Sequence, residues 1–387
     1  MASALPIHVA RRLSGFYAAS FLVTGVQLPF WPVWLAGRGL DSREIAALFA
    51  IAIWVKVVTT PAIGTLADWL GRRRAMMIVL AAVSCLFYAR LWDAHGFPAL
   101  LLLTLGAGVA QSALMPLGDS ITLAAVRRDG IDYGRVRVWG SVTFIIASIA
   151  SGAWLANAVP GLGGNAVLAL VLAASTILLV ACVAVPVPPR DGSVMPRFAT
   201  LRSMARERRF WSFVLAAAAL QASHQVYYGF GTLYWRSLGF SEGVIGCLWA
   251  EGVLAEIILF WQGGPLLARL GPLGLMAVGG AAGIVRWGLT GLVSGLVPTA
   301  ALQLLHALTF GAVHLGAMNF LSRSVPPGAA ASAQALYAGT SAGIGGGIVM
   351  LGAGALYSSY GGRAYLFMAA LSALGMIGIA RLGRAGG

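Results

Sequence analysis

Residues 45–63 form an apolar run, a short polar turn follows, and a second apolar run occupies 75–91. Each run has about the length that crosses ~30 Å of hydrocarbon at 1.5 Å per residue. The pair therefore reads as two membrane helices joined by a tight loop. That loop is Gly64-Thr-Leu-Ala-Asp-Trp-Leu-Gly-Arg-Arg-Arg74. Its arginines assign it to the cytoplasmic side. Gly64 and Gly71 let the backbone turn and approach closely. Asp68 is placed to cap the next helix or to pair with an arginine.

The same stretch returns 200 positions later as Gly264-Pro-Leu-Leu-Ala-Arg-Leu-Gly271. Gly39, Ile45, Leu48 and Ala50 match Gly239, Ile245, Leu248 and Ala250, and Met76, Ala81 and Ala82 match Met276, Ala281 and Ala282. An internal repeat of about half the chain predicts two similar halves. Ala268 stands in the second copy where the first has Asp68, so the charged element is kept only once.

With 59% hydrophobic and 10% charged residues, the composition excludes an ordinary soluble domain. The chain of 387 residues has room for about twelve spans. The runs fall at 13–36, 43–64, 74–92, 97–126, 137–158, 164–185, 210–235, 242–263, 272–294, 297–322, 331–357 and 363–382. The expected fold is an all-α integral membrane protein with twelve transmembrane helices in two pseudo-symmetric halves. Residues 1–185 form the first half, 186–209 a cytoplasmic linker and 210–387 the second half. A net charge of +14 would suit nucleic acid, but the arginines cluster in alternate loops. That is the positive-inside bias of a membrane protein, with both termini cytoplasmic. Arg11-Arg12 before an apolar run resembles a secretion signal, yet the run to Ala36 is too long for one. Cys85, Cys182 and Cys247 lie in apolar runs and form no disulfide framework. Nothing resembles a soluble catalytic constellation, a phosphate loop or a metal cluster. The chain is therefore read as neither an enzyme nor an ATP-driven machine, with no cofactor or metal.

Ionisable residues inside the bilayer are costly unless paired or facing water. Lys56, Asp119, Glu251, Glu256 and Arg286 are the clear cases. Lys56 and Glu256 are 200 positions apart, hence equivalents of opposite sign. Glu251 and Glu256 point about 140° apart on a helix, so they need different partners. Arg286 is the natural partner for one of them, and Arg137 for Asp119. Polar residues also align. Gln221, His224, Gln225 and Tyr228 follow i, i+3, i+4, i+7 on one face. Gln303, His306, Phe310 and His314 fall within about 60° of one another, and Phe16, Ser20 and Gln27 share a stripe.

Gly64, Leu66, Asp68, Gly71, Arg72 and Arg73 resemble the loop between helices 2 and 3 of the major facilitator superfamily of transporters. Trp69 stands where that family usually has a basic residue. Asp132-Tyr-Gly-Arg-Val-Arg-Val-Trp-Gly-Ser141, Ser223-His-Gln-Val-Tyr-Tyr-Gly229, Leu248-Trp249 and Glu256 are similar to the phenylpropionate-permease branch, which is related to sugar:proton symporters such as lactose permease. The resemblance implies a cytoplasmic gate at Gly64, Asp68, Gly71, Arg72 and Arg73. It also implies a central cavity lined chiefly by the first, fourth, seventh and tenth helices, which makes Gln27, Gln221, His224, Gln225, Tyr228, Gln303, His306 and Phe310 the candidate substrate site, and coupling through an acid of helix 8 and an arginine of helix 9. The function it implies is proton-coupled symport of a small organic solute, such as an aromatic carboxylate, by a monomer in the bacterial inner membrane. Export of apolar or cationic compounds and a non-transporting receptor are the alternatives.

Overall fold

The computed structural model describes residues 4–157, 164–187, 207–325 and 330–384, and these are almost wholly helical. Most of the expected linker lies outside the described residues. In chain order the helices are α1 (Ala4–Gly37), α2 (Ser42–Leu70), α3 (Arg73–Arg90), α4 (Phe97–Ser112), α5 (Leu114–Asp129), α6 (Tyr133–Ala156) and α7 (Ala166–Ala184). They continue as α8 (Arg208–Ala222), α9 (Gln225–Ser237), α10 (Glu242–Trp261), α11 (Gly263–Thr290), α12 (Leu296–Leu304), α13 (Val313–Ser324), α14 (Ala330–Ala338), α15 (Gly346–Tyr360) and α16 (Ala364–Arg384). Ten stretches among the described residues are long and apolar enough to cross a membrane. One of them, Ala333–Arg384, holds two of the expected runs, 331–357 and 363–382. The run expected at 210–235 is divided into α8 and α9 by Ser223 and His224.

The chain groups into two compact units. The first comprises Met1–Leu40, Val55–Ser193 and Ser241–Ala250; the second comprises Asp41–Trp54, Val194–Phe240 and Glu251–Gly387. In the first unit α1 packs on α6 and α7. Its core joins Leu13, Phe16 and Val23 of α1 with Met77, Leu117, Ile121 and Leu178. The start of α10 lies in this unit against α6, and a Cβ added at Gly152 or Gly246 would strike the other helix's backbone. Small residues are what let helices approach this closely in a membrane. In the second unit α16 packs on α8 and α11. Phe213 stacks on Phe320 with centroids 4.4 Å apart, in a core with Leu220, Met276, Val313 and Ile379. The start of α2 lies in this unit, with Ala46 filling the space that a Cβ at Gly354 of α15 would need.

The 200-residue repeat is written into the backbone. Gly39 and Gly239 have φ of 88° and 87°, and Gly71 and Gly271 have φ of 62° and 67°. The bonds Gly39 N–H to Ala36 O and Gly239 N–H to Arg236 O are both 3.0 Å. Such φ values favour glycine because other residues clash there.

The turn after α2 differs in detail from the expectation. Helix α2 continues to Leu70, so Gly64 is an ordinary helical residue beside open space and makes no turn. The reversal happens at Gly71. Arg72 occupies the N-cap of α3, which has no side-chain cap bond, so Asp68 does not cap it. Asp68 sits in the last turn of α2 and accepts a 2.6 Å bond from Arg73 Nε.

Candidate functional site

The densest polar cluster among the described residues is in the second unit, around Arg286 of α11, whose side chain is 0% exposed. Two departures from regular α-helix bring its partners together. The first is the break between α8 and α9. There the Ser223 hydroxyl donates to Leu220 O at 2.7 Å and accepts from Trp287 Nε1 at 3.1 Å. The break turns the imidazole of His224 toward Thr309 Oγ1, 3.1 Å from its Nε2. The second is the π-helical stretch Ala307–Ala312 between α12 and α13. An inserted residue in a helical turn re-aims side chains and is frequent at functional sites. Here Gln303, His306 and Thr309, each three residues apart, converge on one guanidinium.

Arg286 donates from one terminal nitrogen to His306 Nδ1 at 3.0 Å and Thr309 Oγ1 at 2.9 Å, and from the other to Gln303 Oε1 at 2.8 Å. Its Cζ lies 4.3 Å from the Trp287 ring centroid and 4.8 Å from that of Tyr227, within cation–π range. Its Nε is buried and has no hydrogen bond among the described residues. A guanidinium only donates. His306 Nδ1 therefore accepts, and a neutral His306 carries its proton on Nε2. That nitrogen faces Glu256 Oε2 at 3.8 Å. The chain of polar groups thus runs Arg286, His306, Glu256.

The structure corrects the expected pairing of Arg286. Among the described residues no salt bridge joins it to Glu251 or Glu256; His306, which bonds Arg286, faces Glu256. The stripe Gln221, His224, Gln225 and Tyr228 was expected on one continuous helix, but the break at Ser223–His224 interrupts that helix. His224 and Tyr228 still stack at 5.7 Å, while Gln221 offers its carbonyl to His224 Nδ1 and Gln225 faces Gly346. Phe310 stacks on His306 at 5.5 Å and on His314 at 6.0 Å, nearly parallel to both.

The remaining candidates lie in the first unit. Gln27 donates to the Tyr88 hydroxyl at 2.8 Å, which donates to Gln111 Oε1 at 3.0 Å. Lys56 packs over Gly108 of α4 and joins no salt bridge among the described residues. Asp119 is not bonded to Arg137, as had been expected. It accepts from Tyr17 at 2.5 Å and Tyr133 at 3.1 Å, while Arg137 lies over the rings of Tyr17 and Phe21 at 5.2 and 4.4 Å. Sequence reasoning missed Thr309, Tyr227, Trp287, Tyr17 and Tyr133. Thr309 follows His306 by three and Trp287 adjoins Arg286, yet a lone Thr or an aromatic in an apolar run carries little signal.

Two units of packed membrane-length helices around buried polar clusters define a polytopic α-helical membrane protein. The MFS_1 like family matches over residues 10–369, and the chain belongs to it; it is a transporter of the major facilitator superfamily and not an enzyme. The chain is 31% identical over 360 residues to the "Probable 3-phenylpropionic acid transporter" of Escherichia coli (strain K12), covering 92% of this chain and 93% of that one. It is 24% identical over 370 residues to the maltose permease of Geobacillus stearothermophilus, covering 94% and 91%. Among solved structures it resembles the nucleoside transporter NupG, with a TM-score of 0.85 at 17% identity over 97% of this chain and 99% of that one. A bacterial homolog of the human lysosomal transporter Spinster has a TM-score of 0.74 at 16% identity over 98% and 96%. These structural likenesses concern the fold alone.

Proposed function

We propose that this transporter carries a small organic carboxylate into the cell together with protons, by alternating access of two six-helix halves. The observation that carries the reading is Arg286, a fully buried guanidinium that donates to the neutral groups His306, Thr309 and Gln303 and whose Nε has no hydrogen bond among the described residues. An uncompensated buried charge is expensive, and a substrate carboxylate would neutralise it with charge-assisted bonds. The rings of Tyr227, Trp287, His224 and Phe310 around it suit an aromatic body on that carboxylate. The relative named for 3-phenylpropionic acid supports the same class. Gln221, Gln225, Tyr228 and Gln303 complete the substrate site on this reading.

Coupling follows from the tautomer. When a carboxylate takes the Arg286 nitrogen that now bonds His306, the freed Nδ1 takes up a proton and Nε2 passes its own proton to Glu256. Glu256 is then the proton carrier, with Glu251 second. Lys56 and Asp119 are held as structural charges. The Asp68–Arg73 bridge beside Gly71 and Arg72 serves the cytoplasmic gate. The proposed topology has twelve helices, halves at 1–185 and 210–387, a linker at 186–209 and both termini in the cytoplasm of a bacterial inner-membrane monomer. Uptake of labelled 3-phenylpropionate into proteoliposomes tests the reading. An inward-directed proton gradient should drive accumulation, and a protonophore should abolish it. Gradient-independent uptake, or no carboxylate transported from an aromatic panel, would overturn it.

A further inference from the structure

Two clefts in separate parts of the chain share one design. The first, of about 470 Å³, lies between the start of α1 and the end of α7, with Arg11 and Arg12 at its mouth. The second, of about 740 Å³, lies between the start of α8 and the end of α16, with Arg208 and Arg209 at its mouth. A constant shift of 197 positions maps one on the other. It takes Arg11 to Arg208, Arg12 to Arg209, Ala19 to Ala216 and Ile177 to Leu374. Beneath the arginines each cleft is apolar. Ile177 and Leu374 are exposed large hydrophobics at 52% and 64%, as they would be toward lipid. The match breaks at one charged position, where Ala184 in the first cleft becomes Arg381 in the second. None of these five arginines joins a salt bridge among the described residues.

We propose that each cleft binds an anionic phospholipid, with the headgroup phosphate on the arginines and an acyl chain in the apolar channel, and that the three-arginine cleft binds the tighter of the two. The argument is one of charge and position. Arginines with no salt bridge among the described residues, at the ends of membrane helices and over an apolar groove, complement a phosphate attached to a hydrocarbon chain. Arginine suits that role because its planar fork bonds phosphate oxygens in pairs. The first and last helices of a half form both clefts, so lipid occupancy would fasten the two ends of each half. The arginines are exposed, so the sites stand apart from the buried Arg286 cluster and from transport chemistry.

Native mass spectrometry of the delipidated full chain in detergent tests this. Dioleoyl phosphatidylglycerol is titrated, with dioleoyl phosphatidylcholine as the neutral control. Phosphatidylglycerol should bind in two resolved steps and in preference to phosphatidylcholine. The triple variant Arg208→Gln, Arg209→Gln, Arg381→Gln should weaken the tighter step roughly 100-fold, on the basis of severalfold per surface arginine. The pair Arg11→Gln, Arg12→Gln should weaken only the other step, by about 30-fold on the same basis. Leu374→Trp fills the second groove without changing charge and should weaken the tighter step alone. Inorganic phosphate in 100-fold excess should not displace the lipid. Equal binding of the two lipids, unchanged binding by the triple variant, or displacement by phosphate would overturn the proposal. Each variant's gel-filtration profile and thermal unfolding establish that it is folded.

Discussion

Lys56 and Glu256 occupy equivalent positions of the repeat, and each packs against a glycine of its own unit. A Cβ at Gly108 would lie 3.2 Å from Lys56 Cε, and one at Gly311 would lie 3.3 Å from Glu256 Cγ. The packing device is the same and the charge is inverted. Lys56 joins no salt bridge among the described residues, whereas Glu256 faces His306, which in turn bonds Arg286. Asp119 and Asn319 form a second such pair, 200 positions apart. Asp119 gathers the hydroxyls of Tyr17 and Tyr133, while Asn319 Nδ2 merely donates to Leu315 O of its own helix. Close helix packing depends on small residues at crossings and on glycine at the turns, and these are repeated. A side chain that fits over a glycine can change charge without disturbing that skeleton, so the chemistry of the two copies is free to differ.

The comparison breaks most sharply at Arg286. Hydrogen bonds to a charged group contribute about 1.5–3 kcal/mol, so Arg286→Gln should lower carboxylate uptake by roughly 10- to 100-fold. Arg286→Lys should not restore it, because a point charge cannot serve Gln303, His306 and Thr309 at once while stacking on Trp287. Uptake by the lysine variant at the native rate would remove the guanidinium from the site.

Next come Glu256→Gln and Lys56→Gln, which test whether charge inversion reflects division of labour. Uphill accumulation should vanish in the first while counterflow exchange persists, and the second should still accumulate substrate. Equal losses in both would mean that the two copies share the coupling role.

A smaller effect belongs to Asp119→Asn. The loss of a charged acceptor for two tyrosines should cost about 1–3 kcal/mol and lower the thermal midpoint of the detergent-solubilised protein. Asn319→Ala should leave that midpoint nearly unchanged. If the two substitutions shift it equally, the tyrosine cluster contributes nothing beyond a helix-surface bond.

Gly71→Ala and Gly271→Ala should each cost about 1–2 kcal/mol, because both glycines hold left-handed φ. Near-equal thermal shifts are expected if the backbones of the copies are equivalent, even though only the first has the Asp68–Arg73 bridge. A shift at Gly71 twice that at Gly271 would show that the turn and the bridge act as one unit.

The apolar runs, the repeat and the membrane class were legible in the residues because they depend on length, hydropathy and glycine placement, all of which are local. Arg286, His306, Gln303 and His224 were also visible as polar residues in apolar surroundings. Their partners were not. The face inferred for Gln221 to Tyr228 assumed a regular helix, and Ser223 and His224 break it. The partner assigned to Arg286 was a glutamate because opposite charges attract, yet His306 and, within the π-helical stretch Ala307–Ala312 that follows it, Thr309 take that place instead. Similarly, the tyrosines that hold Asp119 come from 102 positions before it and 14 after it. Hydrophobic periodicity determines which segments enter the membrane. Which polar groups meet there is decided by helix breaks, register and close packing, and these exist only once residues distant in the chain are brought together.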